Sequence, residues 1–206
     1  MAIEQIKVGF DNFTYVIYCK KTKKAAIVDP GFDAAYALKF ISNKNLELKY
    51  IINTHYHSDH TSQNRQIKNL YPSVEIVASE ADGSKLMPKP DLIVKDNFKI
   101  HVGNIKLKFL LTPGHTQGGI CLIINDEAII TGDTLFIGDC GRTDLPGGNI
   151  EQMFNTLHYK IKILPDHLIV YPGHNYGDKP FDTLGNQKQT NKTLIAKNLK
   201  EFSKIE

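Results

Sequence analysis

The stretch Thr54-His55-Tyr56-His57-Ser58-Asp59-His60 places four strong metal-ligand side chains within six residues. It follows directly after the apolar run Tyr50-Ile51-Ile52, which is typical of a strand. Imidazoles and carboxylates crowded at a strand end would otherwise repel one another and compete for water, whereas a divalent cation turns them into a cage. The stretch therefore indicates a metal site, and two cations suit it better than one.

Three further ligand candidates share one local pattern, an apolar strand followed by Gly and then by His or Asp. They are Leu110-Leu111-Thr112-Pro113-Gly114-His115, Ile129-Ile130-Thr131-Gly132-Asp133 and Ile169-Val170-Tyr171-Pro172-Gly173-His174. Gly lets the backbone turn sharply and approach closely, so the next side chain can point back over the sheet edge. A single Pro-Gly-His is more often a turn with an exposed imidazole, but the four patterns together predict four strand ends aimed at one spot. The remaining histidines, His101, His158 and His167, are expected to be surface or packing residues.

The apolar pattern predicts short strands in two groups, with helices between and after them. Strands are predicted at 13–19, 25–28, 48–52, 74–78, 98–102, 105–111, 120–124, 128–130 and, as the last one, 168–170. Helices are predicted after Asp33, from His60 to Leu70, briefly after Ser79, from a capping box at Asn149 and Gln152 through Ile161, and at the C-terminus with Ile195, Leu199 and Phe202 on the buried face. This arrangement suggests stacked sheets covered by helices.

Composition narrows the classes of function. At 206 residues the chain is expected to form one domain over 1–206, and its net charge of +3 comes without the basic, aromatic-interleaved stripe of a nucleic-acid face. The three cysteines form no C-x-x-C pair, which argues against a disulfide framework or a thiolate zinc site and favours the reducing cytoplasm. No secretory leader and no apolar run of about eighteen residues is found, so a membrane is not an expected partner. Because the basic stripe is missing, nucleic acid is not an expected partner either.

The combined motifs resemble the metallo-β-lactamase superfamily from about Asn12 to Lys192. The resemblance implies an α/β fold of the αββα four-layer sandwich type, with a two-metal site at the sheet edges. It implies one metal on His55, His57 and His115, the other on Asp59, His60 and His174, and Asp133 as the bridge.

Within this superfamily, three segments resemble glyoxalase II and persulfide dioxygenases: 132–136, 140–144 and 171–176. In similar glutathione-handling enzymes these regions contact the substrate, which implies that Arg142 meets a substrate carboxylate and that Tyr176 donates its hydroxyl. An Arg142–Asp144 ion pair within the loop is an equally good interpretation. Only thirty-two residues follow His174, fewer than the helical C-terminal domain of glyoxalase II needs, so a different natural thiol is an open alternative.

The leading hypothesis is a metal-dependent hydrolase of a small thioester, with Asp59 and Asp133 as catalytic carboxylates. In a two-metal site a bridging water becomes hydroxide near neutral pH, so no Ser or Cys nucleophile is needed. The expected cofactors are two divalent cations, zinc first, with iron and manganese as alternatives. The second hypothesis is an iron-dependent persulfide dioxygenase, because His55, His115 and Asp133 form the two-histidine, one-carboxylate set that suits non-haem iron.

A third hypothesis is a metal-binding scaffold without turnover, although no ligand is missing. The expected partner is a small thiol-derived molecule. Two sheet edges and an exposed helical face could support a homodimer, but no residue pattern specifies one.

Overall fold

The structure of the protein is a computed structural model that describes residues 2–205. Met1 and Glu206, which the predicted domain includes, lie outside the described residues. Two six-stranded sheets form the centre of the molecule.

The first sheet has its strands in chain order. They are β1 (Ala2–Val8), β2 (Asn12–Tyr18), β3 (Lys24–Val28), β4 (Glu47–Ile52), β5 (Glu75–Ser79) and β6 (Leu92–Val94). Four helices lie between these strands: α1 (Ala35–Asn43), α2 (Ser58–Thr61), α3 (Asn64–Leu70) and α4 (Glu80–Gly83). Strands β3 to β6 are parallel, so their carboxyl ends share one edge of the sheet.

The second sheet contains β7 (Lys99–Val102), β8 (Ile105–Leu111), β9 (Ile120–Ile124), β10 (Ala128–Gly132), β11 (Ile169–Pro172) and β12 (Asp182–Thr183), in the spatial order β12-β11-β10-β9-β8-β7. Helix α5 (Ile150–Thr156) continues as a π-helical turn at Leu157–Ile161, and α6 (Leu184–Thr190), α7 (Lys192–Ile195) and α8 (Leu199–Phe202) follow. Because β8 and β10 are both antiparallel to β9, and β11 is parallel to β10, these three strands end at one edge.

Side chains of successive residues in a strand point to opposite faces of its sheet, as a period of two requires. In β2, Tyr15 and Ile17 point into the core between the sheets, where they join residues such as Phe109, whereas Val16 belongs to the outer layer with Ile41 of α1. A third cluster packs the second sheet against α5 and the C-terminal helices, with Phe202 fully buried. The order helix, sheet, sheet, helix confirms the α/β four-layer αββα sandwich.

Several predicted elements differ from the observed ones. The helix predicted from His60 to Leu70 is divided into α2 and α3, and β1, β6, β12 and α6 are not among the predicted elements. These elements are two to seven residues long, and strands β6 and β12 are too short to show a periodicity of their own. The predicted C-terminal helix is broken as well, and Ile195 is 50% exposed rather than buried. Among residues 2–205, no helix combines the length and apolar character that a membrane span requires.

Candidate metal centre

The seven candidate ligands converge at the common edge of the two sheets. Ligand atoms of His55, His57 and His115 lie within 4.8 Å of one another, and those of Asp59, His60 and His174 form a second such group. The Asp133 carboxylate lies between the groups, 3.2 Å from Nε2 of His174, 3.4 Å from Nε2 of His60, 3.6 Å from Nε2 of His115 and 4.0 Å from Nε2 of His55.

Each ligand follows a strand whose carboxyl end reaches this edge. His55 and His57 come after β4, and the single turn of α2 then carries Asp59 and His60. His115, Asp133 and His174 follow β8, β10 and β11. His101, His158 and His167 lie elsewhere; His158, for example, stacks on Phe154 with ring centroids 4.2 Å apart.

Glycine allows the close backbone approach that the sequence pattern predicts. Gly132 has a φ of +49°, and a Cβ there would lie 2.4 Å from Oγ1 of Thr54. A Cβ on Gly173 would lie 2.2 Å from Oδ1 of Asp133. Side chains at these two positions would therefore push the ligand-bearing segments apart.

A shell of hydrogen bonds orients the imidazoles. Asp29 is buried at the end of β3 and accepts from the backbone NH of Thr54 at 2.7 Å, from Oγ1 of Thr54 at 2.6 Å and from Nδ1 of His60 at 3.1 Å. Nδ1 of His115 donates to the carbonyl of Arg142 at 2.7 Å, and Nδ1 of His174 donates to Asp11 at 3.2 Å. These bonds place the protons on Nδ1 and leave the Nε2 lone pairs facing the centre.

This shell was not predicted from the sequence, since no role was expected for Asp11, Asn12 or Asp29. Nδ2 of Asn12 donates to Oδ2 of Asp59 at 2.9 Å, which fixes that carboxylate at the rim. One available signal was the carboxylate of Asp29, placed directly after an apolar strand.

The residues fit a metal site. Nε2 of His55 and Oδ1 of Asp133 are buried without a hydrogen-bond partner, which is costly unless the atoms bind something else. Nε2 of His60 lies 3.1 Å from Nε2 of His174, and Nδ1 of His57 lies 2.9 Å from Nε2 of His115. Nitrogen and carboxylate donors in this arrangement suit a divalent cation such as zinc, iron or manganese.

Electrostatics keep two central ligands in the form that binds metal. Burial alone would raise the pKa of Asp133, but the imidazoles of His60, His55 and His174 outweigh it and hold that pKa well below its usual range. Burial and the neighbouring His60 lower the pKa of His55 far below its usual value. Asp133 is therefore a carboxylate and His55 a neutral imidazole.

A cleft of about 450 Å³ lies over the cluster, with Phe136, Cys140, Arg142, Leu145 and Tyr176 in its walls. Nε of Arg142 donates to one Asp144 oxygen at 2.6 Å and Nη2 donates to the other at 2.7 Å, so the ion pair considered from the sequence is present.

Tyr176 stands over the ligand cluster. Its ring stacks on His174 at 4.9 Å and is 56% exposed. Partial burial, together with the carboxylates of Asp11 and Asp133, raises the pKa of Tyr176 to about 12, so its hydroxyl keeps the proton and can donate it.

Residues 8–174 match the family model of the metallo-β-lactamase superfamily. The chain belongs to the metallo-β-lactamase superfamily. The hydroxyacylglutathione hydrolase of Pelagibacter ubique (strain HTCC1062) is 38% identical over 177 residues, which cover 85% of this chain and 72% of that protein. The human mitochondrial persulfide dioxygenase ETHE1 is 32% identical over 196 residues, 94% of this chain and 75% of that protein.

The crystal structure of ETHE1 from Myxococcus xanthus superposes with a TM-score of 0.90 at 27% identity, covering 98% of this chain and 88% of that one. The relatives of this metallo-β-lactamase fold protein thus include hydrolases and dioxygenases at similar identity. Its His and Asp cluster is the metal-binding cluster of the superfamily fold.

Proposed function

We propose that the protein is a metal-dependent hydrolase of small thioesters, similar to hydroxyacylglutathione hydrolases. The observation that carries this proposal is the second ligand group. Asp59, His60 and His174 are assembled as completely as the first group, and a hydrolytic two-metal site uses both. The 38% identity to the Pelagibacter ubique hydrolase supports it.

In this proposal His55, His57 and His115 would hold one cation, Asp59, His60 and His174 would hold the other, and Asp133, which lies between the two groups, would serve both. Zinc is the first choice of metal, with iron and manganese as alternatives. When bound, such a pair supplies a hydroxide nucleophile near neutral pH and polarises the thioester carbonyl.

The side chains of the cleft bind and orient the substrate. The Asp59 carboxylate, held by Asn12, orients the attacking water. Tyr176 donates its protonated hydroxyl to the substrate, and Arg142, paired with Asp144 at the cleft wall, meets a substrate carboxylate. The apolar walls at Phe136 and Leu145 keep water away from the thiol portion.

Metal analysis of protein purified without added metal, followed by thioester and persulfide assays on the same sample, tests the proposal. We expect about two cations per chain and thioester hydrolysis that is lost in Asp133→Asn. His101→Ala, outside the cluster, is the matched control and should keep both. One iron per chain with oxygen consumption on a glutathione persulfide would refute the hydrolase.

The second candidate is an iron-dependent persulfide dioxygenase. It is favoured by the match of human ETHE1 over 94% of the chain and by the position of Asp133, 4.0 Å or less from His55 and His115. His174→Ala distinguishes the two, with thermal unfolding as the folding control. A hydrolase loses one cation and its turnover, whereas a dioxygenase that uses His55, His115 and Asp133 keeps its iron.

We also propose a reducing compartment such as the cytoplasm, because Cys19, Cys121 and Cys140 are free thiols. The human relative is named as mitochondrial. Subcellular fractionation of the native organism, with the protein detected by antibody, checks the compartment.

A further inference from the structure

Tyr56 stands between two candidate ligands in the sequence but is not a candidate ligand itself. Its ring packs edge-on against His57 with centroids 4.7 Å apart, and its hydroxyl donates to the carbonyl of Pro146 at 2.8 Å. One side chain therefore touches both a candidate metal ligand and a distant loop.

That loop, residues 142–148, forms one wall of the cleft through Arg142 and Leu145. Its first residue is held through the carbonyl of Arg142, which accepts from Nδ1 of His115. Its last turn closes with the Gly148 NH donating to the Leu145 carbonyl at 2.8 Å. The Tyr56 hydroxyl binds Pro146, which lies within this turn.

Contacts of its backbone and ring fix the position of the Tyr56 hydroxyl. The backbone NH of Tyr56 donates to Asp82 at 3.2 Å. Nζ of Lys85 lies 3.9 Å from the centroid of the Tyr56 ring, on which it makes a cation–π contact. With His57 also against the ring, the hydroxyl is held in place before any substrate binds.

We propose that Tyr56 is a positioning residue that holds the 142–148 loop over the cleft and thereby sets the affinity for substrate. It acts through Leu145 and Arg142 and touches neither the cations nor the reacting atoms. The effect on substrate affinity rests on the proposed function, whereas the effect on the loop does not.

The test compares Tyr56→Phe with the unmodified full chain carrying its metal. This change removes the hydroxyl and keeps the ring on His57 and Lys85. Loss of one neutral hydrogen bond should speed amide exchange in residues 142–148 by about three- to tenfold and raise KM for the thioester by a similar factor. The value of kcat and the metal content should not change.

The matched control is Tyr159→Phe, since Tyr159 is 65% exposed in the π-helical turn after α5 and should alter none of these quantities. Unchanged loop exchange in Tyr56→Phe would overturn the proposal. So would a loss of metal with normal loop exchange, because Tyr56 would then support the ligands instead. Faster loop exchange in a protein without thioester turnover would refute the proposed function and leave the positioning role standing.

Discussion

At the scale of single residues, the cluster depends on groups that never reach the cleft. Asp29 connects two consecutive parts of the site, because it accepts hydrogen bonds from Thr54 beside His55 and from Nδ1 of His60. Such outer carboxylates fix the tautomer and orientation of a ligating imidazole and raise its basicity.

We predict that Asp29→Ala weakens metal binding about 10- to 100-fold, the usual effect of losing an outer partner of a ligating histidine. The buried Thr54 NH would also lose its acceptor, which costs about 1–3 kcal/mol of unfolding free energy. Chelator competition and urea denaturation measure the two effects. The control for metal binding is Asp33→Ala, because Asp33 is exposed in the same loop and accepts from the Ala35 NH at the start of α1; an equal loss of metal affinity in the two variants would argue against the role of Asp29.

At the scale of elements, the backbone at one strand end approaches a neighbouring segment so closely that a side chain would not fit. Gly132 ends β10 with positive φ and lies against Thr54, so the two sheets approach each other closely at the site. Gly138 has a φ of +84° but has no atom within 4 Å of the position a Cβ would take. Substitutions at Gly138 and Gly132 can therefore separate two contributions to the loss of stability: the strained φ, present at both positions, and the steric clash, present only at Gly132.

Gly138→Ala should lower the unfolding free energy by about 1–2 kcal/mol, the cost of a left-handed conformation for an L-residue. Gly132→Ala should cost at least about 1 kcal/mol more, because Thr54 must move, and it should also reduce the metal content. Chemical denaturation and metal analysis of both variants check this. Equal destabilisation would mean that the contact with Thr54 relaxes freely.

The C-terminal helices support one wall of the cleft through Asn191. Asn191 caps α7 through the Thr193 NH, and its amide donates to the carbonyls of Phe136 and Asp139, both at 3.0 Å. Phe136 in turn packs against Tyr176. A residue that ends one helix and starts the next therefore also positions a wall of the cleft.

We predict that Asn191→Ala lowers the unfolding free energy by about 2–4 kcal/mol, because a helix cap and the hydrogen bonds to one buried and one part-buried carbonyl are lost together. The control Asn198→Ala removes the cap of α8, worth about 1 kcal/mol, and an exposed hydrogen bond to Glu201, but no contact with the cleft wall. Denaturation midpoints compare them. If both variants lost the same stability, the hydrogen bonds from Asn191 to the Phe136 and Asp139 carbonyls would not contribute to stability.

At the scale of the whole molecule, the site joins the two sheets, since β4 belongs to one sheet and β8, β10 and β11 to the other. A cation bound to ligands from both sheets would cross-link the sandwich at this edge. Because the native arrangement binds the cation and the unfolded chain lacks the arrangement, binding adds to stability.

Removal of metal should therefore lower Tm, with a loss of about 3–4 kcal/mol if free metal had been present at 100 to 1,000 times its dissociation constant. Asp133→Asn should show a smaller difference between metal-loaded and chelator-treated samples. Differential scanning calorimetry measures both. An unchanged Tm after verified metal removal would show that the sandwich holds the cluster together without the cation.

The local sequence predicted the candidate ligands and two stacked sheets covered by helices. Strand periodicity, together with Gly before His115, Asp133 and His174, predicted four strand ends at one spot, because alternation and turn chemistry are written in neighbouring residues. The same information predicted α1 and the capped start of α5.

Only the tertiary structure decided what depends on contacts between residues far apart in sequence. Strand β12 exists because β11 pairs with it, and the break before α7 exists because Asn191 binds a loop some fifty residues away. Asp29 at His60 and Tyr56 at Pro146 likewise meet their partners across the fold. A sequence pattern records periodicity within an element, whereas these roles come from the packing of elements against one another.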